Sequence, residues 1–163
     1  MIAIHRTLLC FVLLLLLPVT ALAINQGDPL IPFAAQDMDG NNIDISTVIG
    51  KKPIMLVFWA SWCPNCKSEV PKIKKLVDKY GTKGMTFIGI NVAHNDSEAR
   101  ARRFMDKSGM TYPVIFDKEG NISRKYAVQG VPTVVVADKK GTVVFKNYGV
   151  PAITDDDFHH LNQ

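Results

Sequence analysis

Apolar residues along this chain fall into three patterns, each predicting a different element. The first is a continuous run of strand length, Pro53 to Trp59 (PIMLVFW), with a second at Met85 to Val92 (MTFIGINV); both read as strands buried on two faces of a sheet. The second is a helical recurrence at spacings of three and four. Val70, Ile73, Leu76, Val77 and Tyr80 share one face of a helix predicted from Pro64 to Tyr80, kinked at Pro71 and lysine-rich outside. Ala101, Phe104 and Met105 form the inner face of another, with Asn95 expected as its cap, Glu98 three residues on, and Gly109 as its stop. The third is short alternation broken by turn residues. It predicts a hairpin over Phe33–Asp37 and Asn42–Ile45 about Asp39-Gly40, and a second over Thr133–Ala137 and Thr142–Tyr148. Pro113 to Phe116 reads as a short strand, Asp117 to Gly120 as a turn and Ser123 to Tyr126 as one helical turn. Thr154 reads as the cap of a final helix that docks Phe158 and Leu161 on the sheet. Strands alternating with helices before a closing hairpin predict an α/β mixed sheet covered by helices.

The first 23 residues do not belong to that pattern. Arg6 precedes an apolar run from Leu8 to Leu17, then Pro18 and Ala21-Leu22-Ala23, the form of a secretory signal cleaved after Ala23. Ten apolar residues rise about 15 Å as helix, half of the hydrocarbon thickness, so retention as an anchor is the weaker alternative. The expected division is a signal peptide at 1–23 and one domain at 24–163, exported and then soluble or weakly membrane-associated. Hydrophobic residues at 47% and charged residues at 21% suit one globular core and argue against disorder. Net charge is +4, or +3 once Arg6 is removed, and the lysines lie at spacings of solvated helix faces without interleaved aromatics. Nucleic acid is therefore not expected as a partner.

Cleavage also discards Cys10 and leaves Cys63 and Cys66. One closely spaced pair in an exported chain of this size points to chemistry rather than to a stapled framework. A thiolate attacks disulfides and a thiol does not. Cys63 stands where a buried strand ends and a helix begins, so unpaired N–H groups and the helix dipole favour its charged form. Cys66, one turn in, is expected to be the more buried and to resolve the mixed disulfide. Zinc would need two further ligands, and the remaining histidines are His94, His159 and His160. No metal or cofactor is expected.

These residues resemble the thioredoxin-like family. Phe58 to Cys66 (FWASWCPNC), with Pro71 eight residues after Cys63, is similar to that family's active-site strand, loop and helix. Gly130-Val131-Pro132-Thr133 is similar to its cis-proline loop. The resemblance implies a cis Val131–Pro132 bond beside Cys63, a Val131 backbone that pairs with a bound client chain, and client contacts from Trp62 and Pro64. The signal, the amino-terminal hairpin, the added strand and helix between about Met85 and Tyr112, and WCPNCKSEVP resemble more closely the exported reductases of the TlpA and ResA type.

That likeness implies disulfide-containing client proteins, cytochrome c maturation among their uses, and a membrane thiol-electron donor in the bacterial periplasm. It gives Glu69, three residues after Cys66, a proton-transfer role that needs a partly buried carboxyl with a raised pKa. The buried acid of ordinary thioredoxins falls at Val57, which cannot exchange a proton. One departure is that Pro64 follows the first cysteine, whereas many of these reductases have proline before the second. Central residues tune the potential by about 150 mV among related families, so an oxidant that installs disulfides stays an alternative. Copper delivery is another, although Sco-type carriers have three residues between their cysteines. Peroxiredoxin chemistry is set aside because Leu56 and Ala60 replace its fixed residues.

Overall fold

The computed structural model describes residues 24–163; the expected signal segment and Cys10 lie outside the described residues. Strands β1 (Ala34–Gln36) and β2 (Asn42–Asp44) form the expected amino-terminal hairpin as a separate antiparallel pair. The main sheet has five strands in the order β5-β4-β3-β6-β7, built from β3 (Ile54–Trp59), β4 (Thr86–Asn91), β5 (Val114–Phe116), β6 (Thr133–Ala137) and β7 (Val143–Tyr148). β3 runs parallel to β4 and antiparallel to β6, so the sheet is mixed.

The central strand explains the two-sided core. Met55, Val57 and Trp59 point into a layer completed by helices α1 (Pro64–Leu76) and α2 (Glu98–Ser108) and by Leu161 of α4 (Asp155–Leu161). Ile54, Leu56 and Phe58 point the other way, onto Leu30, Phe33 and Ile45 and onto Ile122 of the short α3 (Asn121–Lys125). Alternate side chains of a strand face opposite sides, and both sides are covered here. All six residues of β3 are buried, which accounts for an apolar run without alternation.

Register gathers several loops at one edge of the sheet. Phe58 pairs with Thr133 and Thr133 with Tyr148, so the chain leaving β3 lies beside the chain entering β6 and the chain leaving β7. Trp59 pairs with Asn91, which brings the loop after β4 to the same edge. In open α/β sheets, the crevice beyond the carboxyl ends of the parallel strands is where ligands bind.

Two local expectations are corrected. α1 ends at Leu76, and Val77–Gly81 continues as a π-helical turn. There Tyr80 stacks on Phe158, ring centroids 4.5 Å apart, and donates its hydroxyl to the Ile153 carbonyl, while Phe158 packs against the core layer that includes Tyr80. The cap of α2 is Ser97, which accepts from the Arg100 N–H, whereas Asn95 sits outside the helix in the left-handed region at φ 51°. Gly109 does end α2, in the left-handed conformation open to glycine, and Thr154 caps α4 through a capping box with Asp157.

Candidate active site

Cys63 is the N-cap of α1 and Pro64 its first residue, where a missing N–H costs nothing. The Cys63 Sγ accepts the Cys66 backbone N–H at 3.1 Å, taking up one donor that a helix start leaves unpaired. The two cysteines are joined as a disulfide, with Cα atoms 5.2 Å apart. Both are covered to nearly the same degree, 4% and 3% exposed, so the expected difference in burial is absent in this oxidised form. Val57 lies in the same buried cluster as the pair, and that wall is apolar.

The Val131–Pro132 peptide bond is cis. The Val131 carbonyl oxygen lies 3.6 Å from the Cys63 Sγ, which puts this loop against the first cysteine. Trp62 is half exposed, and its ring nitrogen donates to the His94 carbonyl at 2.8 Å. The structure therefore brings together Trp62, Cys63, Pro64, Cys66 and the Val131-Pro132 loop. His159 and His160 are neighbours on α4, where Asp155, Asp156 and Asp157 fill the first turn.

Glu69 is partly buried as expected, yet its carboxyl is held below the usual range. Burial acts to raise it, and the Lys72 ammonium at 2.8 Å and the Val150 N–H at 2.9 Å together outweigh that effect. The expectation of a raised pKa is thus overturned. The same carboxylate ties α1 to Val150, whose neighbour Gly149 donates its N–H to the Pro132 carbonyl at 3.1 Å.

Asp96 escaped the sequence reading. Its side chain is fully buried and accepts from the Ser61 N–H and hydroxyl, both at 2.6 Å, from the Asn91 amide at 2.9 Å and from the Ser97 N–H at 2.9 Å. It thereby fixes the loop that leads into Cys63. One signal was present in the sequence: Asn91, a polar residue closing a buried apolar strand at the sheet edge where sites gather.

A family model described as Redoxin matches residues 25–162. Among curated proteins the chain is similar to the thiol-disulfide oxidoreductase ResA of Halalkalibacterium halodurans, 30% identical over 118 residues that cover 72% of this chain and 65% of that protein. It is also similar to the thioredoxin-like protein YneN of Bacillus subtilis, 32% identical over 121 residues, covering 74% and 69%. The matched stretch thus spans about two thirds of these relatives. Among solved structures, a thiol:disulfide interchange protein of the thioredoxin family from Chlorobium tepidum superposes with a TM-score of 0.67 at 27% identity, covering 85% of this chain and 96% of that one.

Proposed function

Because the chain belongs to the Redoxin family and has a thioredoxin-like fold, we propose that it is an exported thiol–disulfide oxidoreductase that reduces client proteins by cycling Cys63 and Cys66. The observation that supports this most is the Cys63 Sγ at the N-cap of α1, bonded to the Cys66 N–H and lying against the Val131 carbonyl. In the reduced protein the same N–H and the positive helix end favour a Cys63 thiolate.

That thiolate attacks one sulfur of a client disulfide. The client S–S bond breaks, a mixed disulfide forms on Cys63, and the departing client sulfur takes up a proton. Cys66 then gives up its proton and attacks the Cys63 sulfur. The mixed disulfide breaks, the internal disulfide closes, and the second client thiol leaves, so two electrons have passed to the client. Val131 offers its backbone to the client chain, with Trp62 and Pro64 flanking it and Pro132 shaping the loop. Glu69 serves the pair by position, through the tie to Val150. A membrane dithiol donor returns the two electrons. The signal pattern of residues 1–23 supports export, with the bacterial periplasm as compartment and apocytochrome c cysteines within the client class.

Cys66→Ser removes the resolving sulfur and is expected to accumulate mixed disulfides on Cys63, read by non-reducing electrophoresis and peptide mass mapping. If Cys63→Ser traps clients instead, the order of attack proposed here is wrong.

A further inference from the structure

Between α1 and α2, and continuous with the thiol site through Trp62, Cys63 and Pro64, runs a cleft of about 650 Å³. Trp62, Val70, Pro71 and Phe104 line it with apolar surface, and it also carries Lys67 from α1 and Lys107 from α2. A third lysine extends the charge. Lys74 lies two helical turns beyond Lys67, and its Nζ comes within 2.9 Å of where a Cβ on Gly109 would stand, next to the cleft-lining Ser108.

No carboxylate lines this cleft, and none of the three lysines forms an ion pair among the described residues. Glu69, the acid nearest Lys67 in sequence, holds Lys72 and Val150. The result is apolar surface under unpaired positive charge, with a reactive sulfur in its wall.

A client held on Cys63 has its cysteine fixed at that point. In an extended chain, residues advance about 3.3 Å each and alternate in direction, so a side chain two positions from that cysteine is carried about 7 Å along the same face. We infer that this cleft is a subsite for the client chain next to its reactive cysteine, and that it selects an apolar side chain bordered by carboxylates. The inference rests on the oxidoreductase reading and adds the substrate class to it.

The test uses three synthetic peptides of one sequence. Each has a single cysteine in disulfide linkage with 2-mercaptoethanol and a Phe two residues away, and Glu, Gln or Lys borders that Phe. Single-turnover oxidation of the reduced full domain is followed by acid quench and alkylation. The Glu peptide is expected to react about tenfold faster than the Lys peptide at low ionic strength. The ratio should fall toward one at about 0.5 M salt and invert in the double variant Lys67→Glu/Lys107→Glu. Both peptides meet the same protein, so any change in the reactivity of the pair cancels in the ratio. Rates within about twofold of each other in the native protein overturn the inference. A Glu preference that survives the double variant overturns it too, because another surface then does the selecting. If no peptide reacts, and 2-hydroxyethyl disulfide is inert as well, the oxidoreductase reading itself fails.

Discussion

Asp96 touches neither sulfur, yet the loop that carries Cys63 depends on it. Four donors converge on its covered carboxylate, two of them from Ser61. Burial acts to raise its pKa, but the hydrogen bonds from Ser61, Asn91 and Ser97 outweigh it and hold the group below its ordinary value. A carboxyl whose folded value lies below its unfolded value of about 3.9 contributes stability above that pH and loses it as pH falls through the folded value. Asp96→Asn keeps one acceptor oxygen and turns its NH2 toward a backbone N–H that can only donate, that of Ser61 or that of Ser97. It should cost about 2–3 kcal/mol at neutral pH, the scale of losing hydrogen bonds to a buried charge. Urea unfolding across a pH series checks this: the gap to the native protein should narrow as pH falls below about 4, where the carboxyl of the unfolded chain takes up its proton while the folded one still holds its charge. A gap constant with pH would mean that the charge is not what holds Ser61.

At the scale of elements, the site is a meeting of three chain ends stitched together by α1. Glu69 reaches from α1 to the Val150 N–H, and Gly149 donates to Pro132, so the helix that starts at Cys63 also holds the loop opposite it. Glu69→Gln keeps an acceptor for Val150 and removes the charge facing Lys72. Exchange rates measured from about pH 5 to 9 should then keep the native profile, while Glu69→Ala, which strands the Val150 N–H, should lower Tm by about 2–4 °C. If Glu69→Gln alters the profile, the carboxylate moves a proton and its role is chemical.

The strands, both hairpins, the start of α1 at Cys63 and the Thr154 cap were legible in the sequence because each is written in neighbouring residues. What was not legible depends on distant partners. Asn95 and Ser97 are both able caps. The choice fell to Ser97 because Asp96 is drawn to Ser61 and Asn91, with Ala93 and Asn95 turned to positive φ. The π-turn follows from Tyr80 meeting Ile153 and Phe158, more than 70 residues on. The state of Glu69 likewise depends on Val150, which no local pattern announces.

For the whole molecule, the direction of electron flow is a question of which redox form folding favours. Two opposing effects meet at the pair. The helix end and the Cys66 N–H favour a thiolate and so stabilise the reduced form. The buried apolar wall of Val57 and Ala60, with no acid in it, disfavours a charge and so stabilises the disulfide. A reductant needs the second effect to win. By linkage, a potential lower than that of the unfolded dithiol requires the disulfide form to gain more from folding than the dithiol form does, and about 30 mV corresponds to 1.4 kcal/mol. The oxidised protein is therefore expected to unfold at higher urea than the reduced one, and the potential to lie well below about −180 mV in glutathione equilibration. The two measurements constrain each other, since the stability difference fixes the shift in potential. A reduced form that is the more stable, with a potential near −120 mV, would reverse the assignment and make this protein an oxidant built on the same fold.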